Sequence, residues 1–508
     1  MSETTHTPPE PLAPVATGVP GLDEILAGGY AANRLHLIEG RPGSGKTTLG
    51  LQFLLDGVRR SETGLYITLS ETKQELLAVA ATHGWSLDGL VLYELIPPEL
   101  SLDPKQQQSL LYASDLELGE TVRMVLAEVE RRRPKRVVFD SLSEIRLLSQ
   151  GSLRYRRQVL ALKHFFLQLG CTVLMLDDLT SEQDDLNLHS ISHGVLRLEQ
   201  FALPYGAERR RLRVIKMRGT AFSGGFHDLT IERGGVVVRP RLIAAQHRRS
   251  FSGSDAEPVS SGVPGLDALL GGGLDRGTAT LILGPSGAGK SSLTLRYVVS
   301  ALERGEAALI VTFDETRHIL LKRAAGMGMN LEPAIAARQL RVAQVDPAEM
   351  SPGELTDLLR QAVERDRVGM VVLDSLSGYQ NAMPEEQYLL LQMHEILTYL
   401  NQQGVVTLLV LAQHGLVGPM MTPVDLTYLS DTILLLRFFE AGGRIRRALS
   451  VLKKRTGGHE DSIREYRIDA RGVRVGQPLT EFQGVLTGVP TYSGPPEALL
   501  EGRGDNGR

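Results

Sequence analysis

One element of this chain occurs twice, in matching places in the two halves. Gly40-Arg41-Pro42-Gly43-Ser44-Gly45-Lys46-Thr47 and Gly284-Pro285-Ser286-Gly287-Ala288-Gly289-Lys290-Ser291 both satisfy G-x-x-x-x-G-K-[ST]. Each follows an apolar run, Leu35 to Ile38 or Ala279 to Leu283, and precedes a helix-like stretch. In that setting glycines let the backbone wrap so that several N–H groups face one anion. The lysine brings a positive charge to the β/γ-phosphates, and the Thr or Ser hydroxyl ligates Mg²⁺. The expected cradle is Gly43, Ser44, Gly45, Lys46, Thr47 and Thr48 in the first half, and Gly287, Ala288, Gly289, Lys290, Ser291 and Ser292 in the second. The cofactors implied are ATP and Mg²⁺.

The repetition reaches well beyond the loops. Thr17-Gly18-Val19-Pro20-Gly21-Leu22-Asp23 matches Ser261-Gly262-Val263-Pro264-Gly265-Leu266-Asp267, at the same separation as the loops. Ile67-Thr68-Leu69-Ser70-Glu71-Thr72 matches Val311-Thr312-Phe313-Asp314-Glu315-Thr316. Val137-Val138-Phe139-Asp140-Ser141 matches Val371-Val372-Leu373-Asp374-Ser375, with about ten extra residues in the first copy before this block. Ile215-Lys216-Met217-Arg218 matches Leu452-Lys453-Lys454-Arg455. Blocks in one order at so long a period mean two complete domains rather than a solenoid. Strand-like runs (Gly64 to Leu69, Arg136 to Asp140, Thr172 to Leu176) alternate with amphipathic stretches. The expected fold is α/β: two tandem phosphate-loop domains, each a mostly parallel sheet flanked by helices. The expected limits are a polar, Pro-rich lead over 1–15, a first domain over 16–245, a linker over 246–258, a second domain over 259–485 and a Gly/Pro-rich tail over 486–508.

Composition narrows the functional classes. The formal net charge is −4 and aromatics are 5% of the residues, which speaks against a nucleic-acid partner. The single cysteine, Cys171, excludes an internal disulfide and any multi-cysteine metal site. No apolar run approaches a membrane span. The N-terminus has no basic-then-apolar leader, so a cytoplasmic location is expected.

Three further groups carry chemistry. Asp140 and Asp374 each close an apolar run, the position from which a carboxylate joins Thr47 or Ser291 in holding Mg²⁺. Glu71 and Glu315 each follow the strand after the phosphate-loop helix, where a carboxylate can orient or deprotonate water. Asp314 gives the second half two adjacent carboxylates and a further candidate metal ligand; the first half has Ser70 there. A helix N-cap is the competing role for these pairs. Lys216 with Arg218, and Lys453 with Arg455, stand at i, i+2 on late strands and so on one strand face. Two such cations could reach a γ-phosphate, most usefully on a neighbouring subunit.

Together these blocks resemble the KaiC family of RecA-type ATPases, over residues from about 15 to 480. The resemblance implies two RecA-like domains in a double-ring homohexamer, with ATP at subunit interfaces and the K-x-R pairs supplied in trans. It implies that Trp85 lies near the adenine of the first site, with Met329 as its counterpart, and that Arg447 reaches the neighbouring nucleotide in the second ring. The family's second domain carries an autophosphorylated Ser-Thr pair just before an apolar strand. Aligning Ser430-Asp431-Thr432-Ile433-Leu434-Leu435 with that strand puts Thr427 and Tyr428 at the acceptor positions. The expected function is thus a KaiC-like signalling or timing ATPase with Ser/Thr autokinase activity and signalling protein partners. A RecA- or DnaB-like DNA-associated ATPase and a non-catalytic ATP-gated scaffold are the alternatives.

Overall fold

The computed structural model describes residues 13–95, 113–149, 151–179, 186–203, 206–247, 257–380, 386–413, 427–441, 443–486 and 491–492. Most of the expected lead, linker and tail lie outside the described residues. Contacts divide the chain into two compact units, Met1–Arg241 and Leu242–Arg508.

The first unit is built on nine strands: β1 (Leu35–Gly40), β2 (Gly64–Thr68), β3 (Leu90–Glu94), β4 (Arg136–Asp140), β5 (Thr172–Asp177), β6 (Gly194–Phe201), β7 (Arg209–Met217), β8 (Phe226–Glu232) and β9 (Gly235–Arg239). Their order across the sheet is β3-β2-β4-β5-β1-β6-β7-β8-β9. Pairing is parallel from β3 to β6 and antiparallel from β6 to β9. Every residue of β1, β2, β4 and β5 is buried, which is why these segments read as unbroken apolar runs. Alternate residues serve opposite faces. Leu37, Ile67, Phe139 and Met175 pack under one helical layer. Ile38, Tyr66, Val138 and Leu174 pack under the phosphate-loop helix Lys46–Arg59 and its neighbours. Cys171 belongs to this interior. Its Sγ donates to the Pro134 carbonyl at 3.1 Å, and burial pushes the thiol up to about 11, as suits a packing residue.

The second unit repeats the plan with β10 (Ala279–Gly284), β11 (Ala308–Thr312), β12 (Leu340–Gln344), β13 (Met370–Asp374), β14 (Val406–Ala412), β15 (Thr432–Ala441), β16 (Arg444–Lys454), β17 (Arg464–Asp469) and β18 (Gly472–Pro478). Their order is β12-β11-β13-β14-β10-β15-β16-β17-β18. Leu242 and Ala244 join this unit's core, and the Ala244 N–H donates to Glu395 Oε2 at 2.8 Å, so the segment just before the linker packs with the second sheet. The ten-residue difference between copies is a balance of two changes. The second unit has an extra short helix, Glu332–Ala336, before β12, while the first is longer between β3 and β4.

Both units are thus mostly parallel α/β sheets of RecA-like order. The carboxyl ends of β1, β2, β4 and β5, and of their counterparts, open on one edge. That is where an open α/β sheet binds its ligand.

Candidate nucleotide sites

In each unit the phosphate loop joins the central strand to the helix packed behind it. β1 ends at Gly40 and the helix starts at Lys46; β10 ends at Gly284 and the helix Lys290–Glu303 starts at Lys290. Gly45 and Gly289 precede these helices in the left-handed region, φ 101° and 100°, which favours glycine. A Cβ at Gly40 would lie 2.6 Å from both the Leu198 carbonyl oxygen and Ser44 Oγ; one at Gly284 would lie 2.7 Å from the Leu436 carbonyl oxygen. Ser44 Oγ is buried with no hydrogen-bond partner among the described residues. Tight glycine-lined backbone, a helix N-terminus and a buried lysine form a donor set that fits phosphate.

The lysines are seated in the same way. Lys46 Nζ donates to the Gly40 carbonyl at 2.7 Å and pairs with Asp178 at 2.8 Å. Lys290 Nζ donates to the carbonyls of Gly284 and Pro285, both at 2.9 Å, and burial lowers its pKa. Thr48 and Ser292 are buried in the first turns of the two helices. Asp140 and Asp374 end their strands opposite Thr68 and Thr312 respectively, and burial raises both carboxyls. Asp140 accepts from Thr47 Oγ1 at 3.5 Å and from Tyr66 Oη at 2.5 Å. Asp374 is hydrogen-bonded to Ser291. Each hydroxyl–carboxylate pair fits Mg²⁺, which takes one or two protein oxygens and otherwise phosphate and water. The described residues contain no group of three or more His, Cys, Asp or Glu suited to a metal.

The two glutamates differ sharply. Glu71 is half-buried, and burial, reinforced by Asp140, pushes its carboxyl up to about 7. Its Oε2 is buried with no hydrogen-bond partner among the described residues. Glu315 is gripped by Arg323 through two bonds, Nε to Oε1 at 3.0 Å and Nη2 to Oε2 at 2.5 Å. Its neighbour Asp314 accepts from Ser375 Oγ at 2.6 Å. Helix capping falls one residue further on than the competing role for these carboxylates required. Thr72 accepts from the Glu75 N–H in a capping box, and Thr316 from the Ile319 N–H.

The K-x-R pairs are positioned by a shared irregularity. The β6–β7 ladder shifts register after Val195, and the β15–β16 ladder after Ile433. Such a bulge re-aims the side chains beside it. Lys216 Nζ then bonds the His189 carbonyl, and Arg218 Nη2 the Ser190 carbonyl at 2.7 Å. In the second unit Lys453 Nζ bonds the carbonyls of Thr427 and Ser430 at 2.7 Å, and Arg455 Nη2 the Tyr428 carbonyl at 2.6 Å. Within the chain, then, both cations tie down the segment ahead of the next strand, the short helix Leu186–Ile191 before β6 and a turn before β15. Arg218 and Arg455 remain exposed. Tyr428 is 54% exposed and Thr427 is half-buried.

Arg447 lies against its own phosphate loop, with Nη2 3.5 Å from the Gly287 carbonyl. Arg210 does the same in the first unit, with Nε 3.3 Å from the Gly43 carbonyl. Trp85 is partly buried beside His83, at 4.7 Å between ring centroids, and close to Gly235. Around Met329 is a cavity of about 350 Å³ whose lining includes Met327, Gly328, Arg296, Ala470 and Gly472.

Sequence reasoning missed Arg210, Asp178, Tyr66 and Arg323. Arg210 could have been found by carrying Arg447 back through the repeat. The other three show only as differences between copies, with Ala412, Ile310 and Val79 at the corresponding positions.

Comparisons with known proteins supply the family. The family model described as ATPase: KaiC matches twice, over residues 15–243 and 259–480. The chain is 26% identical to the circadian clock protein KaiC3 of a Synechocystis species, over 94% of each chain. It is also 26% identical to the circadian clock oscillator protein KaiC of Synechococcus elongatus, over 96% of this chain and 94% of that one. With two matched domains, two phosphate loops and two strand-end aspartates in one register, the chain belongs to the KaiC family of ATPases.

Proposed function

We propose that this KaiC-family ATPase works as a Mg²⁺-dependent homohexamer with an ATP site in each half, and that its second half also transfers phosphate to Thr427. It would then signal to protein partners through its nucleotide and phosphorylation states. The observation that carries this reading is the anchoring of the K-x-R pairs. In both units an exposed arginine bonds the segment ahead of the strand beside the phosphate loop, a short helix in the first unit and, in the second, a turn that holds Thr427 and Tyr428. An exposed cation that orders a segment of its own chain can report contact with a neighbour's nucleotide to the acceptor segment.

Each side chain then has a definite part. Lys46 and Lys290 hold phosphate charge. Thr47 with Asp140, and Ser291 with Asp374, would hold Mg²⁺, which supplies charge neutralisation at the phosphates when bound. Glu71 and Glu315 orient the attacking water. Arg218 and Arg455 stabilise the charge that develops on the transferred group. Trp85 and the Met329 cavity are the candidate base-binding regions, and Arg210 and Arg447 steady the loops. Thr427 is preferred over Tyr428 because a phenol hydroxyl lies further from the backbone, and in-line transfer depends on position. No described helix is long and apolar enough to cross a membrane. A cytoplasmic location fits this reading.

The test is native mass with and without Mg·ATP, with hydrolysis measured on the same samples. Hexamers should form with nucleotide, and Arg218→Ala or Arg455→Ala should slow turnover by up to ~10³–10⁵ if the arginine acts as a finger. A chain that stays monomeric at saturating ATP would contradict the assembly. Phosphate found on Tyr428 and never on Thr427 would contradict the acceptor.

A further inference from the structure

The helix after each catalytic-glutamate block is the same length in both units, Lys73–Thr82 and Arg317–Gly326. Its seventh residue differs. In the first unit it is Val79, packed against the core; in the second it is Arg323. Two helical turns bring Arg323 back over the start of its own helix. There its guanidinium meets both oxygens of Glu315, at 3.0 and 2.5 Å. A third nitrogen, Nη1, is 3.5 Å from Ser292 Oγ, in the first turn of the phosphate-loop helix. Both partners of the ion pair are about a quarter exposed, so the contact is partly shielded from water. Nothing similar holds Glu71 among the described residues.

We propose that Arg323 is a positioning residue that brakes ATP hydrolysis in the second half by holding the Glu315 carboxylate away from water. A carboxylate that orients or deprotonates water must present an oxygen lone pair to it. A bidentate guanidinium engages one lone pair on each oxygen and fixes the plane of the group. Each oxygen keeps a second lone pair, but turning it out of that fixed plane toward the attacking water means loosening the fork, and the barrier rises accordingly. Since the same guanidinium reaches Ser292, the fork is tied to the loop that cradles phosphate. The second half becomes a site that holds ATP, as a phosphate donor must, while the first half has its glutamate unheld.

This rests on the reading that Glu315 orients the attacking water, and the experiment separates the two. In the full-length chain carrying Lys46→Ala, remaining turnover belongs to the second half. Adding Arg323→Val, the residue already accepted at that place in the first half, should raise kcat about tenfold, the worth of one charge-assisted bond, with KM for ATP within about twofold. Arg323→Lys keeps the charge but not the fork, and should give a smaller rise. The gain of Arg323→Val should vanish when Glu315→Gln is added, because the brake acts through that carboxylate. A folded Arg323→Val protein whose kcat is unchanged or lower overturns the brake, while Glu315→Gln alone still slowing turnover would leave the role of Glu315 standing. Glu315→Gln with no effect on kcat overturns both.

Discussion

The two halves share a backbone and differ in the charges set around it. Sheet order, the left-handed glycines before the phosphate-loop helices, the cis peptides Asp140–Ser141 and Asp374–Ser375, and the bulges before the K-x-R pairs recur in both. The surroundings of the candidate catalytic carboxylates do not. In the first half Asp140 has the Tyr66 hydroxyl, Lys46 has Asp178, and Glu71 sits half-buried among other acids with no guanidinium on it. In the second half Ile310 and Ala412 replace the tyrosine and that aspartate, Asp314 replaces Ser70, and Arg323 grips Glu315. Duplication has preserved what shapes a phosphate cradle. What has diverged is the set of groups that decide how readily a carboxylate gives up one partner for a water molecule. A double domain of this kind can bind two nucleotides alike and spend them at different rates.

The comparison can be broken most directly at Glu71. In a Lys290→Ala chain, where only the first half turns over, Glu71→Gln should cost ~10²–10⁴-fold in hydrolysis, the usual worth of general-base help. A loss under about threefold would leave the first half without its proposed base. Tyr66→Phe removes a 2.5 Å bond that orients Asp140 and has no counterpart across the repeat. Partners of this type are worth ~10–100-fold in metal affinity, so the Mg²⁺ dependence of first-half turnover should shift to higher concentration by that factor. The second half, tested as Lys46→Ala, should not respond to Tyr66→Phe; an equal shift in both would mean the tyrosine acts on the fold.

A smaller effect is expected from pH. Burial beside Asp140 holds the Glu71 carboxyl up at about 7. As a base it must be ionised, so first-half hydrolysis should rise with pH through that value and level off above it. One unit below, about a tenth of the carboxyl is ionised and the rate should be roughly tenfold lower. A rate that is flat from about pH 6 to about pH 8 would show that Glu71 does not limit the step.

Much of this site was legible in the sequence because its parts are local. A phosphate loop, a strand ending in aspartate and a K-x-R pair are each written in a few consecutive residues, and finding each twice in one order points to a duplication. What was not legible depends on neighbours brought together by folding. Asp178 reaches Lys46 only because β5 lies beside β1. Arg323 meets Glu315 because two helical turns separate them, and nothing in the spacing distinguishes that pair from a solvated helix face. The K-x-R pair reads as two cations on one strand face. Its bonds to the carbonyls of His189, Ser190, Thr427 and Tyr428 follow from a bulge that no side-chain pattern announces. The N-caps were one residue off because Thr72 and Thr316, rather than the acids before them, have a hydroxyl placed for the third helical N–H.

The difference between the halves is tested most directly by the nucleotide each retains. Full-length Lys290→Ala and Lys46→Ala chains, each loaded with ATP and Mg²⁺ and freed of excess nucleotide, would be followed for bound ATP and ADP through a single turnover. The first half, alone active in Lys290→Ala, should convert its ATP to ADP at least about tenfold faster than the second half in Lys46→Ala. Equal rates, or a faster second half, would contradict a free Glu71 and a held Glu315.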